Sequence, residues 1–275
     1  MQSSFPTRPE PFRRSPNRSS RRGVLRLTAV ALAVLALAFP VLSTPAVAQD
    51  KTIRLTSLDW PPFSGDTLKD KGAAVAVVRA AFAAVGYSVD VAFYPWNRAV
   101  AQVKDGGEFQ GYFPEYAGAE VERDFTLSVP LGSSPLGFAE RTAAPVSWTN
   151  LSDLKGKKIG VVDGYVNTED LDGRIAKGAL HADKANSDLT NLKKLLAERI
   201  DLAVVDRAVM KDLIRSTPQL AESADKLRFN PTILEDKTLH IAFRKDANGQ
   251  ALAKLFAEGM AKIDAKAILA RALGE

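Results

Sequence analysis

Asp206 is the most pointed chemical feature of this chain, because it ends the apolar run Leu202, Ala203, Val204 and Val205. A carboxylate at the end of a buried strand needs a partner. The free N–H groups of a helix starting at Arg207, which Asp206 would cap, are one such partner. Trp60 and Trp96 each follow a short β-like run. Open α/β sheets bind ligands at the carboxyl ends of their strands. Two indoles there offer stacking or cation–π surface, and their bland alternative is core packing. Gly164 and Tyr165 precede a helix candidate whose free N–H groups can hold an anion, with Asn167 and Thr168 as further polar groups or simple caps. Tyr116 lines a cleft or covers its loop. Glu115 is the obvious nominee for a general acid or base. The two histidines, His181 and His240, lie far apart, and there is no cysteine. Thiolate and disulfide chemistry are therefore excluded, and two isolated histidines make a poor metal site. No Ser-His-Asp set, P-loop or metal cluster is present, so neither a cofactor nor a metal is expected.

Short strand-like runs alternate with amphipathic helical runs to position these residues. Strands are expected at 52–58, 88–94 and 110–113, with helices at 73–85 and 97–104, the second capped by Asn97. A further unit has a one-turn helix at 150–156, a strand at 158–162 and a helix near 168–177. After it come a helix at 188–199, a strand at 201–205 and a helix at 207–215. A strand at 239–244 and helices over 250–273, broken near Asp264, close the chain. This order predicts two α/β units with mostly parallel, covered sheets.

Several segments, in this order, resemble the family 3 extracellular solute-binding proteins of bacterial amino-acid-type ABC importers. They are Asp59-Trp60-Pro61-Pro62-Phe63, Tyr94-Pro95-Trp96-Asn97-Arg98-Ala99, Gly111-Tyr112-Phe113-Pro114 and Phe125 to Pro130. Asn150 to Gly156, Gly160 to Tyr165 and Arg199 to Asp206 continue the likeness. The resemblance implies a type II periplasmic-binding fold: two α/β lobes, each a mostly parallel sheet flanked by helices, joined by two hinge crossings. Lobe 1 would hold residues 49–136 and 236–275, and lobe 2 residues 137–235. Trp60 and Trp96 would be the lobe-1 aromatics that sandwich the ligand, and Asp206 the acid that meets its amine. The family's carboxylate clamp, Thr-x-x-Arg, falls here on Gly118 and Val121. Arg123, two residues later, is the nearest candidate and Arg98 a second, with a helix-surface ion pair as the alternative for Arg98. A bidentate clamp depends on fixed fork geometry, so the shift speaks against an ordinary amino-acid ligand.

The leader has its own chemistry. Ser20 to Arg26 resembles the twin-arginine signal pattern, followed by an apolar run from Ala29 to Leu42 and small residues ending at Ala48. This order predicts a signal cleaved after Ala48, with export to the periplasm and no lipid anchor. The chain's net charge of +5 belongs to that leader, which has seven Arg and one Glu; residues 49–275 carry 30 basic and 31 acidic groups. Without a basic stripe, nucleic acid is not an expected partner. The expected function is capture of a small polar solute (an amino acid or a related amine or organic acid) by a monomer that delivers it to a membrane permease. A dehydratase-like enzyme using Glu115 and a ligand sensor for a membrane receptor are the alternatives.

Overall fold

The computed structural model describes residues 51–274, so the expected signal and its cleavage site lie outside the described residues. The first half begins with β1 (Thr52–Ser57), α1 (Ala73–Ala83), β2 (Ser88–Phe93), α2 (Trp96–Lys104) and β3 (Gly111–Tyr116). It continues through α3 (Ala119–Asp124) and β4 (Phe125–Leu127) to β5 (Gly132–Arg141). The second half holds β6 (Lys158–Val162), α4 (Glu169–Ala176), β7 (His181–Ala185), α5 (Asp188–Leu196), β8 (Leu202–Asp206), α6 (Arg207–Ser216) and α7 (Pro218–Ala221). Then β9 (Leu227–Arg244) leads to α8 (Ala247–Met260) and α9 (Ala265–Leu273).

The strands run in the order β2-β1-β3-β9-β5-β8-β6-β7, with β4 beside β9. β1 pairs in parallel with β2 and β3, and β6 pairs in parallel with β7 and β8. Each half is thus a parallel core, flanked by helices as crossover connections require. The long strands β5 and β9 run antiparallel to each other and join the halves. Residues 239–243 of β9 pair with β3, while residues 227–239 pair with β5. β5 in turn pairs with β8 from Leu136 to Glu140.

Local sequence explains most elements. α1 is Ala- and Val-rich and buries Val75, Val78, Ala81 and Phe82. The ring of Phe82 meets Phe256 of α8 at 5.4 Å, which brings the last helices back onto the first half. Asp246 and Asp264 cap α8 and α9, accepting from the N–H of Gly249 at 2.7 Å and of Ala267 at 2.9 Å. Asn150 and Asp153 form a capping box over the turn Leu151–Leu154.

Some elements differ from expectation. β3 extends to Tyr116 and α3 follows it, where a loop was expected. β5, β7 and most of β9 carry no clean alternation. β7 is an edge strand of small and polar residues, and the middle of β9 (Glu235, Asp236, Lys237) is held by its ladder with β5 rather than by an apolar face. Asn97 does not cap α2. That helix begins at Trp96 after Pro95 with no side-chain cap, and Asn97 donates to Asp163 Oδ2 at 3.2 Å. Asp163 belongs to the second half, so the cap residue expected from sequence is an inter-half contact.

Candidate functional site

The two halves face each other across a narrow cleft at the carboxyl ends of β1, β3, β6 and β8. Trp60 sits in a tight turn after β1, where its N–H donates to the Ser64 carbonyl at 2.8 Å. Its ring stacks on Phe63 at 4.9 Å and meets Tyr116 edge-on at 6.0 Å. Its Nε1 donates across the cleft to Asp188 Oδ2 at 3.0 Å. Trp96 opens α2, edge-on to Tyr112 and Tyr165, and its Nε1 donates to the Gly164 carbonyl at 2.8 Å. Gly164 has φ +80°, and a Cβ there would come within 2.0 Å of Asn97 Oδ1. The position thus needs glycine both for its left-handed backbone and for the close approach of the halves.

Asp206 is a hydrogen-bond hub. Oδ1 accepts from the Ala208 and Val209 N–H groups at 2.8 and 3.2 Å and from Ser134 Oγ at 2.9 Å. Oδ2 accepts from the Tyr116 hydroxyl at 3.2 Å. The helix cap offered by the sequence is thus present on Oδ1, and Oδ2 reaches across to Tyr116 of the other half. Glu115 is also buried, accepting from Tyr112 Oη at 3.0 Å and from the Tyr116 N–H at 2.8 Å. Trp60, Trp96, Tyr116, Tyr165 and Glu115 line a small cavity of about 20 Å³, roughly the space of one water molecule.

Burial dominates the electrostatics. It raises the Glu115 carboxyl from the ordinary range to about 7, against the lowering effect of its hydrogen bonds from Tyr112 and Tyr116. Asp188 is likewise pushed up to about 7 by burial, with its Trp60 hydrogen bond opposing and the nearby Asp206 charge reinforcing. Burial lifts Asp206 to about 6 although Ser134, Tyr116 and two backbone N–H groups hydrogen-bond to it. Burial also raises the hydroxyls of Tyr116 and Tyr165, reinforced by neighbouring acids.

Other candidates stand apart from the cavity. Arg98 is exposed, its guanidinium 4.9 Å from the centre of the Tyr94 ring. Arg123 is exposed and bonded to the adjacent Asp124, Nε to Oδ1 at 2.8 Å. Asn167 is buried, but its N–H and Nδ2 donate to Asp172 at 2.8 and 2.7 Å. Thr168 caps α4 through the Leu171 N–H at 3.3 Å. Glu169, Asp170 and Asp172 stand in the first turn of α4, and their charge disfavours an anion at that helix start.

Asp188 and Lys237 were not singled out from sequence. Asp188 follows the Ser187 cap and reads as an ordinary acid in the first turn of a helix. Lys237 lies in a polar run yet is buried, with Nζ donating to the Ala117 carbonyl at 3.0 Å and 5.5 Å from the centre of the Tyr116 ring. Among the described residues no group of three or more His, Cys, Asp or Glu could hold a metal, and no helix is long and apolar enough to cross a membrane.

No protein-family model and no curated protein sequence matches the chain. Solved structures do. A histidine kinase sensor domain similar to periplasmic binding proteins superposes with a TM-score of 0.70 at 21% identity, covering 82% of this chain and 96% of that one. An amino acid ABC transporter substrate-binding protein from Streptococcus pneumoniae, bound to L-arginine, gives 0.64 at 16% identity over 82% and 93%. The glutamate-bound GluR0 ligand-binding core from Nostoc punctiforme gives 0.63 at 16% over 80% and 98%. These neighbours are binding domains rather than enzymes, and with the topology described above they establish that this chain has the two-lobed, type II periplasmic-binding fold.

Proposed function

We propose that the chain is an exported, non-catalytic receptor that takes up a small polar solute between its two lobes and hands it to the permease of an ABC importer. The lobes are residues 49–136 with 236–275, and residues 137–235, and the hinge lies in β5 and β9. The observation that carries the reading is the shared groove. Trp60, Trp96 and Tyr116 from one half meet Asp188, Gly164 and Asp206 from the other through direct hydrogen bonds. Strand ends that meet in this way form a clamshell site, whose closure supplies selectivity. Export to the periplasm, with cleavage after Ala48 and the protein acting as a monomer, is part of the proposal. A second reading is sensing, in which closure is signalled to a membrane receptor; its support is the structural likeness to a kinase sensor domain.

A thermal-shift screen of the purified protein against amino acids, amines and organic acids tests the binding step. The expected outcome is saturable stabilisation by one class, lost in Trp60→Ala. No saturable shift from any class would overturn the proposal. Co-purification with a permease rather than a receptor kinase separates delivery from sensing.

A further inference from the structure

The balance of charge around the cavity goes further, and it rests on the binding role proposed above. Glu115 is on the cavity wall, and Asp188 and Asp206 each stand one hydrogen bond behind a wall residue, Trp60 and Tyr116. All three carboxylates are buried, at 5%, 6% and 1% exposure. The buried cation beside them is Lys237, already engaged by the Ala117 carbonyl and, at 3.3 Å, by Glu235. Arg98 and Arg123, the residues fit to fork a carboxylate, are exposed and turned to Tyr94 and Asp124. The first turn of α4 carries Glu169, Asp170 and Asp172, whose charge repels a carboxylate. A ligand carboxylate would thus meet Glu115 on the wall, with Asp188 and Asp206 close behind it, and neither Arg98 nor Arg123. A ligand cation would meet Trp60, Trp96, Tyr116 and Tyr165, aromatic residues of the kind that attract positive charge, and Glu115, an acid that ionises when a counter-charge arrives.

We propose that the ligand of this cleft is an organic cation without an α-carboxylate — an alkyl amine, diamine or guanidinium. Ring faces hold its charge and apolar stem, while Glu115, Asp188 and Asp206 supply the counter-charge. A buried cation is tolerated only when paired, and a buried acid likewise, so each satisfies the other.

Matched pairs test this directly. Agmatine and arginine differ only by the α-carboxylate, as do cadaverine and lysine; glutamate serves as the acidic control. Calorimetric titration of the full chain at pH 8 is expected to show at least one of the two amines binding tenfold or more tightly than its amino acid, a difference of about 1.4 kcal/mol. Asp188→Asn is expected to weaken that amine tenfold or more. Glu115→Gln gives the same reading should the first variant fail to fold. If arginine, lysine or glutamate binds as tightly as the amines, the ligand class is wrong while the receptor role stands. If none of the five binds, the ligand class is wrong, and the receptor role is decided by the broader thermal-shift screen.

Discussion

Asp206 joins the two roles a carboxylate can play, which makes its substitutions informative. Asp206→Ala removes the acceptor for two helix N–H groups, for Ser134 and for Tyr116. The expected cost is about 1–3 kcal/mol, from a lost cap plus buried donors left unpaired, seen as a lower denaturation midpoint. Asp206→Asn keeps a carbonyl acceptor at the cap. It is expected to recover most of the stability and little of the ligand affinity, and equal loss of both would mean Asp206 acts only as a cap. Arg123 provides the opposite check. Because it is exposed and paired with Asp124, Arg123→Ala is expected to change ligand affinity less than twofold by titration. A tenfold loss would restore it as a carboxylate clamp. Asp206, Trp60 and Trp96 could be found in the sequence because each ends or follows an apolar strand. Asp188 could not, since an acid after a Ser cap has the same local pattern whether it faces solvent or another lobe.

At the scale of elements, the turn from β6 into α4 sets how closely the halves approach. Gly164→Ala places a methyl group within 2.0 Å of Asn97 Oδ1 and strains a backbone at φ +80°. Its expected effect is about 1 kcal/mol or more of lost stability together with at least tenfold weaker ligand binding, since the clash falls on the closed contact. Retained affinity in a stable Gly164→Ala would show that the turn can retreat. Helices and parallel strands were legible because their apolar periodicity reports burial: α1, β1, β6 and β8 fall close to their expected positions. β5, and β9 before residue 239, were not. Their residues are fixed by pairing with each other across the two halves, and a ladder between segments about 100 residues apart leaves no local signature.

For the whole molecule, the buried acids predict an unusual pH response. Glu115 and Asp188 at about 7 and Asp206 at about 6 bind protons more tightly folded than unfolded. Their stabilising contribution is full below the ordinary carboxylate range and is lost as pH rises through 6 to 7. Burial sets this sign: of the groups facing the three acids, the Asp206 charge beside Asp188 reinforces it, while the hydrogen bonds from Trp60, Ser134, Tyr116 and Tyr112 and the charge of Lys237 oppose it. Asp188 faces Trp60, Tyr116, Tyr165 and Asp206; Asp206 faces Ser134 and Tyr116; Glu115 faces Tyr112 and Lys237. The ligand-free protein should therefore melt several degrees lower at pH 8 than at pH 5, as about 1 kcal/mol shifts a domain of this size by roughly 2–4 °C. Asp188→Asn should flatten the slope. A melting temperature that climbs steadily from pH 5 to 8 in the ligand-free protein would contradict the burial of these acids as neutral groups. The sequence by itself determined the α/β class, the order of the parallel units and the aromatic and acidic strand ends, because each follows from local periodicity and from the type of residue where a strand stops. Only the tertiary structure decided which acids gather at and behind the cavity wall, that Arg98 and Arg123 stand outside it, and that β5 and β9 tie the halves together. These depend on burial and on the distances between charged residues far apart in sequence, and neither is set until the chain has folded.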